Sequence, residues 1–387
     1  MNWIERREME KALMNRLGAP RDDIDRAYFH YQGRNLGAQR SLLEKMKREI
    51  PAMLLALPAL LFFRARNLFP GKKSPCDAVC FCPEQVFLKI MMEDLPPELT
   101  AEFPQMQTHT RPASGLARYA GARLDRQGAK LWWKAVRRRP AAFYVNFYLL
   151  LHLAHCCELI YTYAPKAIIS AQTESDFATS LLTEYCESKR VLYIGIMHGE
   201  TVRSMIRAYV RFSRFYVWNE ETAEMFIATG SPREIFRIYD SKRLLPCYQA
   251  QEHPAYFLSY YLGGEKEPAM RELKERLDIL AKRGLKCKVR PHPRATDMAA
   301  FHQIFDGGAV ETEDVRQVSL KDSVENSEYI ASVCSTVLSE AYASKMKIVI
   351  DDMSSYITID DLRDRMYINL KRPHLPLSEL LRQVKAQ

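Results

Sequence analysis

The chain has no unbroken apolar run of the roughly 20 residues that a bilayer-crossing helix needs. Its longest, Pro51 to Phe63, covers about a dozen residues, is interrupted by Pro58 and has basic residues on both sides. Walker A, Gly-x-Gly-x-x-Gly and Gly-x-Ser-x-Gly sequences are all missing, which removes the main sequence grounds for a P-loop enzyme, a dinucleotide oxidoreductase or an α/β-hydrolase. No internal repeat or low-complexity tract is present, so a solenoid is not indicated. The nine cysteines form no regular framework, and several sit in apolar settings (Cys156-Cys157, Cys186, Cys334). That usage fits a reducing cytosol better than secretion. The opening Met1-Asn2-Trp3-Ile4-Glu5-Arg6-Arg7-Glu8 is charged and amphipathic, unlike a signal peptide.

Metal chemistry has equally little support. Cys76, Cys80 and Cys82 are close enough for a metal knuckle, but no second cysteine/histidine pair follows at zinc-finger spacing. Asp351-Asp352 lacks the Asp-x-Asp spacing. No metal and no cofactor are expected. Aromatic and basic residues are not interleaved as in a nucleic-acid module, so nucleic acid is not an expected partner.

What is present is an ordinary globular composition, 47% hydrophobic and 27% charged, long enough for two domains with separate cores. The net charge of +9 is concentrated. Lys45, Lys47, Arg48, Arg64, Arg66, Lys72 and Lys73 flank the Pro51–Phe63 run, and Arg137-Arg138-Arg139 forms a second cluster. Such clusters are solvated faces or docking points for anionic lipid or phosphorylated ligands. The Pro51–Phe63 run is accordingly either a core helix or an interfacial segment on an anionic membrane surface. Tyr144 to Ile160 reads as a core helix.

Along the chain, residues 1–75 are helix-rich. A short strand at 77–82 and a helix at 84–92 follow. The Pro- and Gly-rich stretch 95–130 reads as loops. Beyond residue 140 strands and helices alternate: strands at 167–170, 191–196 and 214–218, then, after a linker at 240–253, strands at 256–261, 286–290, 328–333 and 347–351. Alternation at these lengths means βαβ units and parallel sheets. The expected fold is α/β: two Rossmann-like domains facing across a cleft, with a helix-rich N-terminal extension. Its parts are an N-terminal domain (1–240, including the extension 1–75), a second domain (250–370) and a C-terminal tail (371–387).

Ligands in such sheets bind outside the carboxyl ends of the strands, and two loops there carry the strongest chemistry. Arg290-Pro291-His292-Pro293-Arg294 sets an imidazole between two guanidinium groups on a backbone stiffened by proline. Arginine forks suit phosphate oxygens, and an imidazole can donate to phosphate or hand a proton to a leaving group. The bland alternative is a histidine capping its strand. Ser335-Thr336 opens a helix, where N–H groups and hydroxyls form an anion site, although both residues are also ordinary N-caps. Glu340, one turn further on, is placed for a ribose. In the first half, His198-Gly199 ends a strand and offers a general base. Glu174 or Asp176 could serve instead, with Asp176 better read as a helix cap.

His292-Pro293, Ser335-Thr336 and His198-Gly199 together resemble the GT-B transferases of bacterial surface polysaccharide synthesis: CDP-glycerol glycerophosphotransferases, capsule transferases, and sialyl- and polysialyltransferases. The resemblance spans about 165–352. The acidic pair plus glycine of the sialyltransferases has no clean match, Glu174-Ser175-Asp176 being a poor substitute. What the resemblance implies is a GT-B-like fold and transfer from a nucleotide-activated donor, bound by the second domain (250–370), to a saccharide or lipid-linked acceptor on the side of the first (1–240). His198 or Glu174 would take the acceptor proton. Arg290, His292, Arg294 and the Ser335-Thr336 helix start would hold the departing phosphate, and Glu340 the ribose. The expected place is the cytoplasm or the inner face of the membrane. Nucleotide-sugar 2-epimerases share the fold, and a non-catalytic assembly partner is a third reading.

Overall fold

A computed structural model describes residues 3–36, 42–82, 85–110, 119, 121–171, 176–197, 199–244, 247–293 and 295–386. The chain divides into two compact units. One comprises Arg6–His198 and Ser204–Tyr239; the other comprises Asp240–Gln387 together with Gly199–Arg203 and the first five residues.

The first unit opens with helices α1 (Trp3–Leu17), α2 (Asp23–Arg34) and α3 (Leu42–Ala65). Next come β1 (Ala78–Cys82), α4 (Gln85–Glu93), α5 (Pro97–Glu102), β2 (Met106–Thr110), α6 (Arg126–Arg138) and α7 (Phe143–Tyr163). β3 (Ala167–Ala171), α8 (Thr179–Ser188), β4 (Leu192–Ile196), β5 (Arg214–Val217), α9 (Glu220–Ile227) and β6 (Phe236–Ile238) complete it. Its six strands are parallel throughout, in the order β2-β1-β3-β4-β5-β6. β1 and β3 are buried along their whole length, as strands covered by helices on both faces must be.

The second unit contains β7 (Tyr256–Tyr261), α10 (Glu267–Ala281), β8 (Cys287–Arg290), α11 (Met298–Phe305), β9 (Glu311–Thr312) and α12 (Leu320–Glu325). It continues through β10 (Ser327–Ser332), α13 (Thr336–Ala343), β11 (Lys347–Ile350), α14 (Ile359–Asp364), β12 (Leu375–Pro376) and α15 (Leu377–Ala386). This sheet is also six-stranded and parallel, ordered β12-β11-β10-β7-β8-β9. Two Rossmann-like units in one chain are the composition of the GT-B class.

Several boundaries differ from the expectation. The stretch 95–130 holds α5, the edge strand β2 and the start of α6 rather than only loops. The first sheet therefore begins at Ala78, well ahead of the regular alternation. Residues 371–387, expected as a tail, carry β12 and α15, and Leu377, Leu380, Leu381 and Val384 pack into the second unit's core. α3 runs unbroken through Pro51 and Pro58, although each proline removes one intrahelical hydrogen bond. α7 is long and apolar enough to cross a membrane, but most of it is buried within the unit, so it is the core helix expected for 144–160. Cys76, Cys80 and Cys82 are buried, and burial pushes the Cys80 thiol up to about 12. They fill core volume as thiols.

Candidate functional site

In the second sheet the chain runs outward from β7 through β8 to β9, then returns to the other side of β7 with β10 and continues to β12. The order thus reverses between β7 and β10. In an open parallel sheet such a switch point leaves a crevice at the carboxyl ends, because the loops after the two strands leave in opposite directions. Here those loops are Leu262–Lys266, after β7, and Val333–Ser335, after β10. They meet closely: a Cβ on Gly263 would lie 2.9 Å from the Cys334 carbonyl oxygen, so only glycine fits. Gly264 has φ +119°, and its missing Cβ would stand 3.2 Å from Ala295 and 3.5 Å from the Tyr356 hydroxyl. The turn after β7 is therefore wedged between the two loops singled out in the sequence.

His292 is exposed at the end of β8. Its backbone N–H donates to Thr296 Oγ1 (2.8 Å), and its Nδ1 accepts from the Ala295 N–H (3.1 Å). A neutral ring accepting at Nδ1 carries its proton on Nε2. The loop thus fixes a tautomer that donates from Nε2. A cavity of about 600 Å³ adjoins this loop, lined by Pro291, Pro293, Phe301, His302, Glu313 and Arg316 among others, within the size range of small-ligand sites.

Arg290, expected to grip phosphate, has other partners. Nη1 is 2.5 Å from Glu313 Oε2, and Nη2 donates to the Val318 carbonyl at 3.1 Å. Lys288 Nζ takes the other Glu313 oxygen at 2.5 Å. Burial alone would push the Glu313 carboxyl up, but bonds from Lys288, Ser323 and Arg290 bring it below its usual value. Arg290 is a strut that ties the end of β8 to the segment after β9. Arg294 lies outside the described residues.

Ser335 is the N-cap of α13, with φ −150° and its Oγ accepting from the Val337 N–H at 3.3 Å. Its backbone is locked from behind. The Tyr367 hydroxyl accepts from the Ser335 N–H (3.1 Å), donates to the Ser335 carbonyl (3.2 Å) and accepts from Asn369 Nδ2 (2.8 Å). Asn369 and Arg372 both bond Ser339 one turn along, and Arg372 Nη2 reaches Glu200 at 3.6 Å. The capping role and an anion role coexist here, because the first N–H groups of a helix point outward from its start.

Glu340 is not an exposed helix residue. It is buried and accepts from the Tyr248 hydroxyl at 2.6 Å, while Ser344 holds the backbone N–H groups of Cys247 and Tyr248. Burial and the Glu340 charge push the Tyr248 phenol up, which keeps it a donor. Glu340 thus clamps the 240–253 segment onto α13.

His198 and Glu174 lie outside the described residues. Gly199 begins a five-residue segment that belongs to the second unit. A Cβ on Gly199 would lie 3.5 Å from Thr336 Oγ1. Arg203 N–H donates to the Arg365 carbonyl (2.8 Å), Arg365 Nη1 donates back to the Arg203 carbonyl (3.0 Å), and Val202 joins the core. The residue following His198 is therefore set against the Ser335-Thr336 step. Asp176 behaves as a turn residue: its Oδ1 accepts from the Ala178 N–H (2.9 Å) and its Oδ2 from the Tyr148 hydroxyl (3.1 Å).

One carboxyl that sequence reasoning missed stands at the switch point. Glu265 is 2% exposed. Its Oε2 accepts from the N–H groups of Gly263 (2.6 Å) and Gly264 (2.9 Å), while its Oε1 is buried without a hydrogen-bond partner. Burial pushes its pKa up to about 7, against the pull of the backbone donors. Asp351 adds negative charge nearby and is itself raised by burial. The only sequence signal was the Gly263-Gly264 pair ahead of it. Asp351 accepts from Arg276 (3.3 Å), Tyr260 (2.9 Å) and the Met353 N–H (3.0 Å), and Asp352 holds Ser378 at the start of α15. Both carboxylates are structural in their contacts. Among the described residues no group of three or more His, Cys, Asp or Glu is arranged to hold a metal ion.

No family model matches the chain, and no curated protein matches its sequence. Among solved structures it is similar to a putative UDP-N-acetylglucosamine 2-epimerase from Listeria monocytogenes, with a TM-score of 0.49 and 12% identity over 81% of this chain and 89% of that one. It is also similar to the UDP-GlcNAc 2-epimerase from Neisseria meningitidis bound to UDP-GlcNAc (TM-score 0.47, 7% identity, 80% of this chain, 90% of that one). A third is the wall teichoic acid polymerase TagF (TM-score 0.46, 13% identity, 89% of this chain, 87% of that one). All three scores lie below 0.5, and the fold assignment rests on the two parallel sheets themselves.

Proposed function

We propose that the chain is a metal-independent transferase that binds a nucleotide-activated sugar or glycerol donor at the carboxyl end of its second sheet. It would move the activated group to a hydroxyl of a saccharide or lipid-linked acceptor, in surface or capsular polysaccharide synthesis on the cytoplasmic side. The observation that supports this most is the convergence at the β7/β10 switch point of three loops: Gly263-Gly264, His292–Ala295 and Cys334–Thr336. Their donors suit a phosphate: the Nε2–H of an imidazole whose tautomer Ala295 fixes, and the start of α13. Charge develops on the departing phosphate in such a transfer, so donors fixed beforehand lower the barrier without reorganising.

In this reading His292 and Arg294 contact the leaving phosphate, Thr336 and the α13 N–H groups complete the cradle, and Arg290 positions the loop through Glu313. His198 takes the acceptor proton, its neighbour Gly199 lying against Thr336; Glu174 is the alternative base. Glu340 serves the site by holding Tyr248 and the linker rather than by meeting a ribose.

The test is turnover of CDP-glycerol and of CMP-, UDP- and GDP-sugars, with and without an oligosaccharide acceptor. Acceptor-dependent release of the nucleotide is expected. Conversion of a UDP-sugar to its 2-epimer with no acceptor present would identify an isomerase instead.

A further inference from the structure

α3 is apolar on two faces, and the fold covers only one. Ala52, Ala56, Leu60 and Phe63 recur at spacings of four, four and three, which sets them on one side of a helix. Ala52 and Phe63 are buried, and α7 is the neighbour that α3 packs along. Met46, Ile50, Met53, Leu54, Leu57 and Leu61 form a second stripe at helical spacing on the other side. All six are exposed, Leu54, Leu57 and Leu61 by about 60% each. The chain leaving the helix extends the apolar surface with Leu68 and Phe69, both exposed. Contiguous exposed apolar surface on this scale marks an interaction site.

The charge around the stripe specifies its partner. From Ile50 to Cys76 there is no aspartate or glutamate. Lys47 lies at the start of the stripe and Arg64, Lys72 and Lys73 follow it, all exposed. A second copy of the chain seated on this face would set cations against cations in either direction. An anionic bilayer surface meets both demands, taking leucines into the acyl boundary and lysines onto the headgroups. The helix cannot cross, since its other face is fixed to α7 and its apolar part is too short. It can only lie flat.

We propose that the outward stripe of α3 docks the protein in the plane of an anionic lipid membrane, with Lys47, Arg64, Lys72 and Lys73 on the headgroups. The docking is independent of the donor site, since it stands on a different unit. It would hold the enzyme where a lipid-linked acceptor resides.

The experiment is vesicle flotation of the full chain with phosphatidylcholine alone and with added phosphatidylglycerol, at low and high salt. The native chain is expected to float with the anionic vesicles and to be released as salt rises past a concentration of about 1 M, where screening is nearly complete. Leu57→Glu/Leu61→Glu should weaken binding by about tenfold or more without lowering Tm, because both side chains are exposed. Lys72→Glu/Lys73→Glu should weaken only the anionic component. Failure of the native chain to float with anionic vesicles would overturn the proposal, as would undiminished binding by the leucine variant. Light scattering provides a separate check: a native dimer that the leucine variant converts to monomer would show that a second copy covers the stripe.

Discussion

At the scale of single residues, His292 and Glu265 separate contact from support. In His292→Asn the Oδ1 can replace the Nδ1 acceptor for Ala295, so the loop is kept while the Nε2–H donor is lost. In His292→Gln the amide nitrogen replaces Nε2–H instead. Turnover of the donor should fall about 100-fold or more in the Asn variant and recover partly in the Gln variant, with Tm nearly unchanged in both. Turnover kept in the Asn variant and lost in the Gln variant would make the loop contact, not the donor, the property that matters. Glu265 gives a pH signature. Its carboxyl is raised from an ordinary 4.5 to about 7, so between those values the folded chain binds more protons than the unfolded one and stability falls as pH rises. Glu265→Gln removes that penalty and keeps an acceptor for Gly263 and Gly264. The variant should match the native chain near pH 4 and exceed it above pH 7, by up to about 3 kcal/mol at roughly 1.4 kcal/mol per pKa unit. Denaturant melts at both pH values measure it, and a pH-independent difference would contradict the burial argument.

At the scale of elements, the Gly263-Gly264 turn and the start of α13 make the crevice. Gly264→Ala must hold φ +119° with a Cβ against Ala295, which should cost about 2 kcal/mol and weaken nucleotide binding. Gly284→Ala is the control: its φ is +76° but nothing lies within 4 Å of the added carbon, so it should cost about 1 kcal/mol and leave binding alone. Tyr367→Phe strips the hydroxyl that locks Ser335 and Asn369. Leaving the Ser335 N–H and one Asn369 N–H without that partner should cost about 1–3 kcal/mol, read by chemical melts. The two motif loops were legible in the sequence because proline, histidine and a Ser-Thr step carry their chemistry in their identity. Glu265 and Tyr367 were not, because each becomes special only through burial against chain that is distant in sequence. β2 was hidden by the prolines and glycines around it, a half-exposed edge strand with no apolar alternation. α15 did have a signal, Leu377, Leu380, Leu381 and Val384 at helical spacing, which the reading of 371–387 as a tail left unused.

At the scale of the molecule, both sheets obey the same rule: parallel strands, a reversal beside the first strand, and loops gathered at the carboxyl edge. The alternation beyond residue 140, with the short strand read at 77–82, was enough to read an α/β chain of two Rossmann-like units, while the first sheet's β2 and β6 were not read as strands. Part of the basic excess lies around the outward stripe of α3, whereas Lys288 and Arg290 are paired with Glu313, and Arg138 and Arg139 with Asp25. The central claim is that the β7/β10 switch point is a nucleotide-phosphate site. Isothermal titration of CMP, CDP, UDP and GDP into the native chain and into His292→Asn tests it directly. One of the four nucleotides should bind more tightly than the others and lose about tenfold or more in affinity in the variant, a loss of roughly 1.4 kcal/mol. No binding by any of the four, or equal binding by both proteins, would contradict it.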